Sequence, residues 1–172
     1  MPSDAGVPPG ALRVFVTADG SGGNLGGLSG ADARCQSIAD GAGLSGTWIA
    51  WLSLPGMNAI DRLSGAGPWF NLGGEQVFAT RDAVSDPFTD LEAGIWYDET
   101  GSFSSSDRIW TGTTSSGEYV DSIGDNCQAW TSDAMGDQAR IGQVGRQGTE
   151  WTAFAFTSCD QTGTRLICFE QG

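Results

Sequence analysis

Four cysteines, Cys35, Cys127, Cys159 and Cys168, constrain what this 172-residue chain can fold into more than any other feature. Their number is even, and none of the intervals between them is the short Cys-x-x-Cys spacing that thiolate metal sites use. Two disulfides are therefore expected, in one of three pairings, together with an oxidising compartment such as the periplasm or the cell exterior. At this length one domain with one well-buried core is expected.

The chain has 27 glycines, and clusters of Ser, Thr, Asn and Asp interrupt short apolar runs, which predicts a loop-rich fold of short elements. Seven tryptophans and eight phenylalanines supply the apolar surface that a disordered chain lacks. The formal charge is -13, eight arginines are scattered singly among twenty-one acids, and there is neither lysine nor histidine. Nucleic acid and heparin-like polyanions, which are held by clustered basic side chains, are excluded as expected partners. No apolar stretch reaches the ~20 residues that span a bilayer, so membrane insertion is not expected. Met1 to Gly10 lack the basic and apolar regions of a signal peptide. Residues 1–11 read as a linker or cloning remnant ahead of a single domain over 12–170, with any export signal or anchor outside this piece.

Along the chain, Leu12 to Thr17 has strand composition and ends in the turn chemistry of Ala18 to Asn24. Ser29 is placed to cap a helix with Asp32 in its first turn, whose apolar face carries Ala33, Cys35, Ile38 and Ala39 and which stops at Gly41 or Gly43. Thr47 to Leu54 alternates with Trp48, Ala50 and Leu52 on one face and Ile49, Trp51 and Ser53 on the other; both faces are largely apolar, which predicts a central strand. Residues 57–107 read as loops with apolar islands at Trp69-Phe70, Val77-Phe78 and Ile95-Trp96-Tyr97, and binding groups concentrate on such loops. Short strands are expected at Ile109 to Thr113, Gln128 to Thr131, Trp151 to Ser158 and Arg165 to Glu170. One early helix with strands at both ends implies an α+β domain whose termini meet in one sheet.

The run Ser21-Gly22-Gly23-Asn24-Leu25-Gly26-Gly27-Leu28-Ser29-Gly30-Ala31-Asp32-Ala33-Arg34-Cys35-Gln36, followed by Ala42 to Trp48, resembles the opening of the endostatin domain of basement-membrane collagens. Trp110-Thr111-Gly112, Cys127-Gln128-Ala129-Trp130, Ser158-Cys159 and Leu166 to Glu170 fall where that family has its later motifs, so the likeness spans about residues 12 to 170. A family of bacterial lectin-like proteins of unknown function, found on and outside cells, is more similar still. The resemblance implies the C-type lectin-like fold: a twisted, mostly antiparallel sheet, a helix carrying Cys35 and a long loop region. It also implies the nested pairing, Cys35 with Cys168 and Cys127 with Cys159. The zinc and heparin sites of animal endostatin have no counterpart here, since histidine is absent and the balance is acidic. The calcium-dependent sugar motif of C-type lectins is replaced by Ser122-Ile123-Gly124.

Without histidine or lysine, Ser-His, Cys-His and Ser-Lys nucleophilic mechanisms are excluded. No motif supports an enzyme, although paired carboxylates in a secreted carbohydrate-active hydrolase are the remaining catalytic option. No cofactor is expected; calcium is the one metal considered, with Asp19 and Asn24 in one loop and Asp121, Asp125 and Asn126 in another as candidate ligands. Aspartate and asparagine before glycine are equally ordinary turn residues. The Gly20 to Gly30 loop lacks the Gly-Lys-Ser/Thr of a phosphate cradle and reads as a tight structural turn. Trp48, Trp51, Trp110, Trp130 and Trp151 are expected in the core, whereas Trp69, Trp96, Tyr97 and Tyr119 are the candidate ligand-binding aromatics. The expected function is an extracellular or cell-surface binding or adhesion module for a protein or a neutral glycan; the alternative is a self-assembling domain of a fibre or matrix.

Overall fold

The structure is a computed structural model that describes residues 6–104 and 107–172. The chain is an α+β fold built on a five-stranded sheet, in the order β2 (Trp48–Ala50), β8 (Ile167–Glu170), β1 (Leu12–Val16), β3 (Trp69–Phe70), β4 (Gln76–Phe78). All its pairings are antiparallel except β1 with β3. The termini meet as expected: β1 and β8 lie side by side with Phe15 opposite Cys168. A second sheet, β5 (Arg108–Trp110), β6 (Gln138–Gln143), β7 (Ala155–Ser158), joins the first where Trp110 N and Arg165 N exchange bonds with Arg165 O and Arg108 O.

Period-two alternation puts apolar side chains on both faces of the large sheet. Phe15, Trp48, Ala50, Leu52 and Cys168 face a core shared with Trp110 and Trp130; Val14, Val16, Trp51, Ile167 and Phe169 face a second core with Trp69, Phe78 and Trp151. Each large apolar side chain so buried contributes about 1.5–3 kcal/mol. Phe169 sits at the centre of the second core, with ring centroids of Trp51, Trp69 and Phe78 at 5.4, 6.0 and 5.8 Å. The five fully buried indoles, those of Trp48, Trp51, Trp69, Trp110 and Trp130, each find an acceptor, for example Trp130 Nε1 on Ser53 O and Trp110 Nε1 on Ser21 O, both at 2.9 Å.

Helix α1 (Gly27–Gly41) covers the first core with Ala31, Cys35 and Ala39, spaced one per turn. It starts before Ser29: Gly26 caps it in the left-handed region at φ 78°, no side chain among the described residues caps it, and Ala33, which the sequence pattern puts on the apolar face, faces solvent. Asp32 has other work. It and Gln36 accept the N–H groups of Ala50 and Trp48 at 3.0 and 2.9 Å. Strand β2 is consequently an edge strand rather than the expected central one, its outward amides closed by helix side chains instead of a neighbouring strand.

The disulfides are Cys35–Cys168 and Cys127–Cys159, the nested pairing. The first ties α1 to β8. The second anchors Asn126–Trp130, a left-handed turn in which five consecutive non-glycine residues have φ between 51° and 64°; the strand expected over Gln128 to Thr131 does not form there. Left-handed helical residues cost about 1–2 kcal/mol each, so other contacts must hold them. The Cys127 bridge, the Trp130 ring against Trp110 at 6.0 Å, and Leu25 N on Trp130 O at 2.9 Å do so. Gly23 permits this packing, since a Cβ there would lie 2.3 Å from Cys127 Sγ. The expected strand Trp151 to Ser158 also divides. Residues Thr149–Trp151 form a 3-10 turn folded over Gly142, and only Ala155–Ser158 pair with β6.

In the loop region the short helices α2 (Ala59–Arg62) and α3 (Arg81–Val84) accompany β3 and β4. Residues 6–11 of the expected linker run along the domain, with Val7, Pro8 and Gly10 lining a recess of about 380 Å³ beside Arg13 and Glu170; its first five residues lie outside the described ones. Among the described residues no helix is long and apolar enough to cross a membrane.

Candidate binding surface

Residues 96–104 form a small hairpin docked on the end of β1, where Val16 N donates to Tyr97 O at 3.1 Å. Its turn is built around Asp98, whose Oδ1 accepts from Thr100 N, Thr100 Oγ1 and Ser102 N at 2.9, 2.6 and 3.0 Å. The chain then returns antiparallel, pairing Phe103 with Tyr97, and Ser104 N donates to Trp96 O at 2.6 Å. Phe103 therefore sits against both neighbours, its ring centroid 5.8 Å from that of Trp96 and 5.8 Å from that of Tyr97. It is 61% exposed, while Trp96 and Tyr97 are partly buried against the second and first cores respectively.

The platform is set by two glycines and one carboxylate. Cβ atoms at Gly94 and Gly73 would lie 2.3 and 2.4 Å from ring atoms of Trp96 and Tyr97, so only glycine lets these rings lie on the backbone. Glu75 Oε1 accepts Trp96 Nε1 at 3.0 Å and Asn71 Nδ2 at 3.1 Å. Asn71, fully buried, completes the loop by donating to Gly94 O and accepting from the amides of Gly73 and Glu75. On the far side of the hairpin Glu99 Oε2 accepts Ala18 N at 2.8 Å, and partial burial raises its pKa, with the charges of Asp98 and Asp19 adding to the rise. Aromatic faces beside an acceptor carboxylate can stack on the C–H faces of a sugar or an apolar side chain and accept a hydroxyl or amide hydrogen.

Of the expected aromatics, the fold thus brings Trp96 and Tyr97 together. It removes Trp69, which is fully buried, edge-on to Phe169 and bonded through Nε1 to Glu170 O at 2.9 Å; no ligand reaches it. Its position on β3, next to the central strand, is the reason. Tyr119 stands in a separate loop, pinned by its N–H to Asn58 Oδ1 at 2.9 Å, and among the described residues no bond or ring contact joins it to the hairpin. Phe103 was not among the expected residues. Its signal is an Asp-x-x-Gly turn flanked by aromatics, Tyr97-Asp98-Glu99-Thr100-Gly101-Ser102-Phe103, which reads as a hairpin.

Among the described residues no three Asp, Glu, Cys or His side chains converge so as to hold a metal. Asn126 is turned fully inward, its Nδ2 donating to Ser53 O and Gly112 O at 2.9 and 2.8 Å, and its buried Oδ1 has no partner among the described residues. Asp19 lends its backbone carbonyl to Thr17 Oγ1, and Asp125 lends its own to Ala129 N. Compared with protein-family models and with curated proteins, the chain matches none.

Proposed function

We propose that this chain is an extracellular recognition module of the endostatin-like branch of the C-type lectin-like fold, and not an enzyme, taking a neutral glycan or an apolar protein side chain on the Trp96–Phe103–Tyr97 platform. The exposed Phe103 ring, held between two partly buried aromatics beside Glu75, carries this reading. A monomer in water keeps a ring of that size exposed at a cost, and exposed aromatics on a rigid frame are where binding energy concentrates. The resemblance over residues 12 to 170 supports the family reading, and the nested disulfides are the pairing that it implies. The two bridges also suit the cell exterior. The test is an array of neutral glycans and extracellular-matrix proteins, probed with the purified chain in calcium and in chelator. Reproducible binding supports recognition, chelator sensitivity would add calcium to the account, and a blank array in both conditions contradicts it.

A further inference from the structure

We infer that the outer face of the small sheet is a second surface, a docking groove for a positively charged segment of a partner protein anchored by an apolar side chain. The groove, of about 600 Å³, runs between the 122–125 loop and the outward side chains of Gln138 and Phe156, with Ile123 buried at its edge. Exposed apolar residues recur in the segments that build it. Phe156 is 46% exposed, and Met135, Phe154 and Val120, just outside the lining residues along the chain, are exposed as well.

Side-chain bonds tie the groove wall together. Gln128, displayed by the left-handed turn, donates to Asp137 Oδ2 at 2.9 Å, and Ser132 Oγ bonds the same oxygen. Arg140 lies over one face of Phe156, 4.8 Å from the ring centroid, which holds that ring upright and leaves its other face to a ligand.

Charge selects the occupant. Asp125 and Asp137 line the groove, none of its lining residues is basic, Asp121 and Asp133 lie near them in sequence, and Arg140 stacks on Phe156. On a chain of net charge -13, a second copy would bring these carboxylates against each other, whereas a segment with lysine or arginine on either side of an apolar residue complements both the rim and the Phe156 face. This surface is distinct from the hairpin platform and does not depend on what that platform binds.

The experiment uses fluorescent peptides of alternating lysine and leucine, and of alternating glutamate and leucine, titrated against the whole chain by anisotropy. The lysine peptide is expected to bind, with Phe156→Ala weakening it about tenfold and Asp121→Asn/Asp125→Asn weakening it severalfold while flattening its salt dependence. Phe88→Ala, which alters a phenylalanine that is 94% exposed elsewhere, should change nothing. Amide shift mapping on the unmutated chain should confine the perturbation to residues 120–138 and 154–158. Equal binding of the two peptides, wild-type affinity of Phe156→Ala, shifts centred elsewhere, or a Phe156-dependent dimer in sedimentation would each overturn the inference.

Discussion

Asp32 Oδ1 accepts the backbone N–H of Ala50 at 3.0 Å and the Arg62 guanidinium at 2.6 Å, so one carboxylate joins helix α1, the edge of strand β2 and the loop region. Arg62 Nη1 donates to Ala50 O and Leu52 O, which closes the carbonyl side of the same edge. Asp32→Ala leaves a partly buried guanidinium without its counter-charge and a strand amide without an acceptor. A loss of about 2 kcal/mol is expected in urea unfolding, together with faster aggregation on mild heating, because the edge is reopened.

The Arg13–Glu170 pair presents a different balance. Arg13 Nε and Nη2 meet Glu170 Oε2 and Oε1 at 2.7 and 2.8 Å, with both side chains about nine-tenths buried, and Arg13 also stacks on Trp48. Desolvating both charges offsets much of their attraction, but leaving one alone is worse. Glu170→Leu should cost about 3 kcal/mol, and the double change Arg13→Met/Glu170→Leu should cost less than the sum of Arg13→Met and Glu170→Leu. A double-mutant cycle by chemical denaturation measures this directly.

Reducing either disulfide has distinct consequences. On the chain-entropy relation, loops of 133 and 32 residues give about 5 and about 4 kcal/mol respectively. Cys127→Ser/Cys159→Ser additionally releases the left-handed turn. Hydrogen exchange is therefore expected to accelerate first at Ala129 and Thr131, whose amides bond Asp125 O and Cys127 O, while the α1 amides stay protected.

Glu99 gives a pH signature. Burial raises its pKa, so the folded chain holds this proton more tightly than the unfolded chain does. Stability from this group is highest below the ordinary glutamate range and falls as pH climbs through the raised value. Glu99→Gln, whose amide oxygen can still accept Ala18 N, should match the wild type in acid and exceed it at neutral pH. Because the group is half exposed, the gain should stay below ~1 kcal/mol, read as the difference between the two melting curves across pH.

The scaffold was legible where period and composition agree. Leu12 to Thr17, the alternation of Trp48 to Ser53 across two cores, and the Arg165 to Glu170 strand all hold, because their side chains alternate between two buried faces. The misplaced elements are those whose conformation comes from distant contacts. Nothing in Gln128-Ala129-Trp130 signals positive φ, which is imposed by a bridge to Cys159 and an indole bonded to Ser53 O. Trp69-Phe70 and Trp96-Tyr97 are similar short islands locally; only the pairing of β3 with β1 buries Trp69, and only the turn at Asp98 brings Phe103 to Trp96.

The recognition platform is tested most directly by probing one array of neutral glycans and matrix proteins with the wild type and with Phe103→Ala side by side. Phe103 is largely exposed, so its removal should leave the melting temperature within a few degrees of the wild type. The account predicts reproducible wild-type binding that falls about tenfold or more in the variant. Equal binding by the two proteins would contradict it.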